Sequence, residues 1–445
     1  MKLNPQQLQA VKHASGPLLI VAGAGTGKTT VITQKISFLI EARGLAPHRL
    51  LALTFTDKAA AEMLDRLDIV MPLGYQEPWV STFHSFADRI LRAEGLEIGL
   101  DPSYQILSRS QQWILVKKHL FNFALSYYRP LGNPAKFITA LLTFFSRAQD
   151  EAVSPQELLR FAKKQTADNL LEVAQAYATY QDLKIKYSSL DFGDLITKTI
   201  DLFRSRPALL QQYQHQFQHI LVDEFQDTNF AQYQLIKLLA PAPSRPNLTV
   251  VADDDQAIYA WRGAAVRNVL TFQDDYPQAK IISLTHNYRS LKPILDAAYR
   301  VIQHNNPDRL ETKLGINKKL VPNRNQSTLH SPIIASLPSE ADEVEWIIKT
   351  ILELAATANY TYKDFAILTR ANSQLEPFVS ALRRHGIPYQ LIGNRGLFDQ
   401  QEVRTLIFFL QLVVDPHDSI ALFQFLHSPI FNISAPQILS LIALA

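Results

Sequence analysis

Cysteine is absent from this 445-residue sequence, which excludes disulfides, cysteine-ligated zinc and iron–sulfur clusters. The absence suits a reducing cytosol, and a cytoplasmic location is expected. The N-terminal stretch MKLNPQQLQAV lacks the apolar core of a signal peptide. Long apolar runs are lacking as well. The longest, TLIFFLQLVV at 405–414, is too short to span a bilayer and contains Gln411, so it reads as a buried helix and no membrane association is expected. An excess of one charge sign is also missing, since 44 Lys and Arg against 41 Asp and Glu leave a net +3. That balance neither favours nor excludes nucleic acid, because a near-neutral whole can carry a local basic groove. Internal repeats and low-complexity tracts are not found. What remains is an ordinary globular composition, 47% hydrophobic and 19% charged, of a length that suggests roughly two to four domains.

Apolar, β-rich runs recur, each followed by a helical pattern: PLLIVAG (17–23), LLALTFT (50–56), WVSTF (79–83), HILVDEF (219–225), LTVVADD (248–254) and KIISLTHN (280–287). Alternation of this kind predicts a parallel α/β sheet with crossover helices. Over residues 93–189 long helical periodicity replaces the strand signal, as expected of a helical insertion between strands of one sheet. Ser154, Pro155 and Glu157 mark a helix start there, with a cap, a proline at the first position and an acid in the first turn. From residue 286 a second unit is predicted. It has strands at FAILTR (365–370) and PYQLIG, and between them a helix ending near His385 and Gly386, with the glycine as its C-cap.

LLIVAGAGTGKTT (18–30) is a run of β-formers, a glycine-rich turn, and Lys28-Thr29-Thr30 opening a helix. It approximates a phosphate-binding loop over Ala22, Gly23, Ala24, Gly25, Thr26 and Gly27, with Ala22 where the first glycine would stand. Small residues let successive N–H groups curl toward phosphate oxygens, and the helix N-terminus adds favourable charge. Lys28 would reach the β- and γ-phosphates of ATP, and Thr29 would hold Mg²⁺. ILVDEFQDTN (220–229) supplies the partner: Asp223 to bind Mg²⁺, and Glu224 to orient and deprotonate the attacking water. Two carboxylates at the C-terminal end of a strand lie where α/β proteins bind ligands. A third acidic stretch, VADDDQAIYAWRGA (251–264), puts Asp253, Asp254 and Asp255 beside Gln256, Tyr259, Trp261 and Arg262. Alone it reads as a strand ending in a solvated acidic turn, with the aromatics in a core.

Together, DEFQDTN, ADDDQAIYAWRGA, TFTDKAAAEM (54–63), TFHSFADRIL (82–91) and HNYRS (286–290) resemble superfamily 1A DNA helicases of the UvrD/Rep/PcrA type, in order over nearly the whole chain. The resemblance implies a RecA-like P-loop sheet formed by 1–92 and 190–285, interrupted by the helical insertion at 93–189. It implies a partial second RecA-like domain at 286–415 and the start of a further helical insertion at 416–445. It makes Gln7 the reader of the adenine edge, although Asn4, Pro5 and Gln7 also fit a capping box. Tyr288 would stack on adenine or serve as a core aromatic, and Arg289 would approach the γ-phosphate from the second domain. Gln256 would sense the γ-phosphate. Asp253 and Asp254 would tune the Mg²⁺ site or fix the turn. Single-stranded DNA would meet Thr54, Phe55, Thr56, Thr82, Phe83, His84, Tyr259, Trp261 and Arg262, with Phe55 either on a base or in the core.

The sequence also departs from the family pattern. Ala22 and Ala252 replace glycines, Asp57 stands where Asn is usual, and Gln400 takes an arginine's place beside Phe398 and Glu402. The family's later motifs, including a second arginine for the γ-phosphate, are expected to be absent, as in a truncated form. The implied activity is an ATP-dependent 3′→5′ helicase on single-stranded and 3′-tailed duplex DNA, with protein partners unknown. The alternative is a nucleotide- and DNA-binding module that does not unwind.

Overall fold

The computed structural model describes the chain except for residues 1–2, 73, 167, 260–265, 325–330, 358–359, 393–400, 415, 417, 429, 432, 434–436 and 438–445. Within the described residues the chain divides into one unit ending at Pro332 and another beginning at Ile333.

Each of the six apolar runs forms a strand of the first unit. These are β1 (Leu18–Ala22), β2 (Leu50–Thr54), β3 (Trp79–Thr82), then, after a two-residue pair β4 (Gln105–Ile106) and β5 (Ser189–Leu190), β6 (His219–Val222), β7 (Leu248–Ala252) and β8 (Lys280–Leu284). The short β9 (His286–Asn287) and β10 (Val321–Pro322) pair in parallel with each other. The six long strands form one parallel sheet in the order β3-β2-β6-β7-β1-β8. Strands β1, β2, β6 and β7 are buried along their whole length, which is why they read as continuous apolar runs. Alternation along β1 and β2 divides the core: Leu19, Val21, Leu51 and Leu53 join the cluster on one face, while Leu18, Ile20, Leu50 and Ala52 join the cluster on the other. Burying each Leu, Ile or Phe in these clusters contributes about 1.5–3 kcal/mol.

Helices α1 (Pro5–Lys12), α2 (Lys28–Ser37), α3 (Asp57–Val70) and α4 (Phe83–Glu94) alternate with the first strands. From β1 the chain crosses to β2, whereas β7 leads to β8 on the far side of β1. Connections that diverge in this way open a crevice at the C-terminal edge of the sheet, beside β1. The insertion consists of α5 (Arg109–Lys118), α6 (Ile138–Asp150), α7 (Pro155–Gln165) and α8 (Asp168–Lys186), bracketed by the parallel β4–β5 pair. Ser154 caps α7 with a full capping box, as the Ser-Pro-x-Glu pattern predicts. Phe145 stacks between Tyr177 and Tyr180 in the insertion's own core. The chain returns to the sheet through α9 (Phe192–Ser205).

In the second unit, the helices Glu340–Thr357 and Leu375–Arg384 pack through Val344, Ile348, Phe378, Ala381 and Leu382. Gly386 adopts φ +64°, and the amides of Gly386 and Ile387 bond back to Arg383 and Leu382, so this helix ends as predicted. The expected strands do not form among the described residues: 365–370 and 388–392 carry no ladder, and Gly393, the last residue of PYQLIG, lies outside the described residues. An apolar run becomes a strand only where a partner edge meets its backbone groups. The run at 405–414 is helical, within Gln401–Val414, but it is not buried: Leu406, Leu410, Val413 and Val414 are exposed. Only part of its surface is engaged by the helix Ser419–Leu426, through Phe409 and Phe425.

Candidate nucleotide site and nucleic-acid edge

β1 ends at Ala22 and α2 begins at Lys28, so residues 23–27 form a turn at the C-terminal edge of the sheet. Gly25 and Gly27 have φ of +74° and +85°, a left-handed backbone that costs glycine no Cβ clash. A Cβ at Gly25 would lie 2.7 Å from Arg289 Cβ, and one at Gly27 would lie 2.9 Å from Gln7 Nε2. The loop carbonyls are held by hydrogen bonds. Gln7 Nε2 donates to Thr26 O (2.9 Å), Asn287 Nδ2 to Ala24 O (2.6 Å), the Tyr288 amide to Gly25 O (2.8 Å) and Thr26 Oγ1 to Gly23 O (2.8 Å). Fixing the carbonyls sets the peptide planes whose N–H groups a phosphate would meet, and the start of α2 supplies positive dipole charge.

Both sequence readings of Gln7 concern this same buried amide. Its Oε1 accepts from the Asn4 amide at 3.0 Å, completing the capping box, while its Nε2 braces the loop. Contact with adenine through this amide would require it to release one of these bonds. The Tyr288 hydroxyl accepts from Asn4 Nδ2 at 2.8 Å, and Arg289 is exposed next to Gly25. The described residues of 286–324, expected to open the second domain, belong to the first unit, tied to it by these bonds and held together by the β9–β10 pair.

β6 delivers Asp223 and Glu224 to the same edge. Glu224 has φ +48° and ψ +44°, a strained conformation for a non-glycine residue that costs about 1–3 kcal/mol. Its Oε2 lies 2.6 Å from Lys28 Nζ and accepts from Gln226 Nε2 at 2.7 Å. Burial, and next the charge of Glu224, push the Asp223 carboxyl up to about 6. Asp223 is a buried carboxyl at the end of β6 and Thr29 a hydroxyl in the first turn of α2, and oxygen donors of this kind suit Mg²⁺.

The acids after β7 do not form a solvated turn. Lys318 Nζ lies 2.8 Å from Asp253 Oδ1 and 2.7 Å from Asp255 Oδ2, and it also bonds Asp254. Arg309 meets both oxygens of Asp255 at 2.7 Å, and the Leu310 amide donates to Asp254 Oδ2 at 2.8 Å. Lys318 and Arg309 are themselves buried. Of the two roles considered for Asp253 and Asp254, the geometry supports fixing the turn, because their carboxylates are taken by Lys318. The Gln256 amide donates to Asp253 Oδ2 at 2.5 Å.

Next to these loops lie the candidate DNA residues. Phe55 stacks on Tyr259 with ring centroids 5.5 Å apart, and both are half-buried. Thr54 is buried and bonds Thr56 O, while the exposed Thr56 caps α3 by accepting from the Ala59 amide. Asp57 is then the first residue of α3, where an acid is favoured by the helix dipole. Thr82 caps α4. Phe83, expected on DNA, is instead in the core with Phe86, Ala87 and Ile90. Those three stand at i+3, i+4 and i+7 from Phe83, so it opens the apolar stripe of α4. His84 is half-buried, and burial lowers its pKa while Asp57 opposes the shift. Trp261, Arg262, Phe398 and Gln400 lie outside the described residues.

The family model described as the UvrD/REP helicase N-terminal domain matches residues 3–277. The chain belongs to the UvrD/REP helicase family. The UvrD-like helicase C-terminal domain model matches residues 282–443. That match overturns the expected absence of the family's C-terminal part: individual motif positions such as Gln400 depart from the pattern, but the similarity extends along the whole segment. Among curated relatives, the ATP-dependent DNA helicase PcrA of Leuconostoc citreum is 38% identical over 451 residues, covering 100% of this chain and 57% of the relative. The PcrA proteins of Staphylococcus aureus and Staphylococcus epidermidis are each 38% identical over 96% of this chain and 56% of their own length. The chain thus spans a little over half the length of these UvrD/REP relatives.

The departures from the family's glycines are accommodated in the sheet: Ala22 and Ala252 are fully buried strand ends. The motif reading missed Phe192, which is exposed at the start of α9 with its ring 5.6 Å from that of His84. An aromatic directly after the capping Asp191 was the available signal. Lys318 and Arg309 were missed because nothing local in their sequence points to acids more than fifty positions away. Among the described residues, no helix is long and apolar enough to cross a membrane.

Proposed function

We propose that the chain binds and hydrolyses ATP with Mg²⁺ and couples this to movement along single-stranded DNA, as the motor part of a 3′→5′ DNA helicase. The observation that carries the reading is the 2.6 Å approach of Lys28 Nζ to Glu224 Oε2 across the edge where the phosphate loop and β6 end. There Lys28 meets the terminal phosphates, the loop N–H groups cradle them, and Glu224 takes the proton of the attacking water. Asp223 and Thr29 would hold Mg²⁺, which would supply positive charge to offset that developing on the phosphates. Gln256 and the exposed Arg289 face the γ-phosphate, and Tyr288 faces the base. The Phe55–Tyr259 pair, His84, Thr56 and Phe192 form a track for DNA that tolerates any base, and Trp261 and Arg262, outside the described residues, are proposed to bind DNA as well. The first RecA-like domain comprises 1–92 and 190–285 around the insertion at 93–189, and a second begins near 286.

The test is ATP turnover with and without a single-stranded oligonucleotide, and strand displacement on 3′- and 5′-tailed duplexes. Stimulated turnover and displacement only from the 3′ tail are expected. Lys28→Ala should reduce turnover by at least about 10³-fold, the scale on which one phosphate-clamping cation acts. Full turnover in that variant would refute the assignment. Turnover without displacement would favour the binding-module reading for this chain.

A further inference from the structure

A continuous set of hydrogen bonds links the phosphate loop to the segment 309–322. Lys28 meets Glu224 Oε2, which accepts from Gln226 Nε2. Gln226 Oε1 in turn accepts from the Asp253 amide at 3.1 Å. Asp253 then divides its carboxylate: Oδ2 takes the Gln256 amide at 2.5 Å, and Oδ1 takes Lys318 at 2.8 Å. Lys318 also meets Asp254 and Asp255, and Arg309 locks Asp255 from the other side. Beyond Lys318 the chain brings the Leu320 side chain to within 3.1 Å of where a Cβ on Gly23 would stand. It then forms β10, whose partner β9 carries Asn287 to the carbonyl of Ala24. The path therefore leaves the phosphate loop through Glu224 and returns to it through Asn287.

We infer that Lys318, braced by Arg309, is a positioning residue that sets the Asp253–Gln256 turn and links it to the phosphate loop, so that its loss slows turnover without weakening nucleotide binding. The inference rests on the nucleotidase reading above. The geometry gives the split its direction. Lys318 touches no loop atom that would hold nucleotide, but it holds the carboxylate that aims Gln256. Three acids on one turn repel one another, and Lys318 Nζ reaches all three. Without it, the only bond among the described residues that holds the Asp253 carboxylate from the protein side of the turn is the Asp255 amide at 3.3 Å, so the carboxylate loosens and the Gln256 amide bonded to it loosens too. A reacting group displaced by about 1 Å can lose about 10²-fold in rate.

The test uses the full chain and the variants Lys318→Met, Lys318→Arg and the charge-relieved pair Asp254→Asn with Lys318→Met. ATP turnover is measured at saturating oligothymidylate, and binding of a fluorescent ADP analogue is titrated. Lys318→Met should lower kcat by about 10–100-fold. The affinity for the ADP analogue should stay within about threefold. Lys318→Arg should recover most of kcat. If Lys318→Met does not fold, the paired variant stands in for it and is expected to bind the analogue while remaining slow. Wild-type kcat in either methionine variant, or an equal loss of kcat and affinity, would overturn the inference. Amide hydrogen exchange separates this failure from that of the nucleotidase reading. Even if the wild-type chain turned over no ATP, Lys318→Met should speed exchange at residues 255–257 by at least roughly tenfold while α2 is unchanged. Unaltered exchange at 255–257 would sink the clamp itself.

Discussion

Lys184 and Lys318 are both buried, and each gathers carboxylates, but those carboxylates hold different things. Lys184 meets Asp191 at 2.6 Å and also Asp194. Tyr180, Gln149 and Gln181 fill the remaining acceptor positions, and the two acids cap α9 reciprocally. That cluster closes on itself, and its output is the anchoring of the insertion's last helix to α9. The Lys318 cluster stays open, since Asp253 passes its second oxygen to Gln256 and its amide to Gln226, one bond from Glu224. A buried ion cluster is thus identified as functional or structural by where its spare hydrogen bonds lead, and burial alone does not distinguish the two.

The largest expected effect sets these lysines against each other. Replacing either by Met strands buried carboxylates, at a cost of about 3–5 kcal/mol in local stability. For Lys184→Met, urea unfolding followed by hydrogen exchange should show that loss in residues 109–186, while kcat per folded molecule is unchanged. For Lys318→Met the loss should come with slowed turnover. If Lys184→Met slowed turnover as much as Lys318→Met at full folding, the distinction drawn between closed and open clusters would be wrong.

The two clusters also differ in how far they could be read in the sequence. Lys184, Asp191 and Asp194 lie within ten positions and flank a helix start, so a local pattern exists. Lys318 finds its acids across 64 and 65 positions, and only the tertiary fold brings them together. The same contrast holds for the fold at large. Six strands were legible because buried parallel strands must be apolar throughout, yet the order β3-β2-β6-β7-β1-β8 depends on crossovers that composition does not encode. Residues 365–370 have strand composition and no strand partner among the described residues, so the composition misled. At the site, the glycines and Lys28 were legible because a phosphate loop needs them locally. Phe83 was misread because its place in a motif outweighed the i, i+3, i+4, i+7 stripe that puts it in the core.

A smaller effect isolates the geometry of the open cluster from its charge. Arg309 grips Asp255 through two parallel bonds of 2.7 Å, which a lysine ammonium cannot reproduce. Arg309 also meets Glu311 at 2.8 Å, so Arg309→Lys keeps the charge and loses at least one of three charged hydrogen bonds, each about 1.5–3 kcal/mol of local stability. Thermal unfolding should show that loss together with a several-fold drop in kcat. A stable variant with normal kcat would mean that Lys318 alone sets the turn.

The smallest effect is one of sign, seen on acidification. Burial alone would raise Asp255, but its bonds to Arg309 and then Lys318 outweigh it and hold the carboxyl below its ordinary value. Burial, and next the charge of Asp191, hold Asp194 above its ordinary value. A depressed carboxyl contributes stability that is present above its unfolded pKa and lost as pH falls through the folded one. A raised carboxyl does the reverse: the native state keeps its proton longer than the unfolded chain, so stability falls as pH rises from the unfolded value through the folded one. Stability differences between the wild-type chain and Asp255→Asn should therefore shrink as pH falls below the ordinary carboxylate value of about 4, and those for Asp194→Asn should change above it, growing as pH falls back toward that value. Parallel slopes for the two variants would show that both clusters hold their acids in the same protonation state. The asymmetry between a lysine shared by closed partners and one supported by an arginine would then have no electrostatic basis.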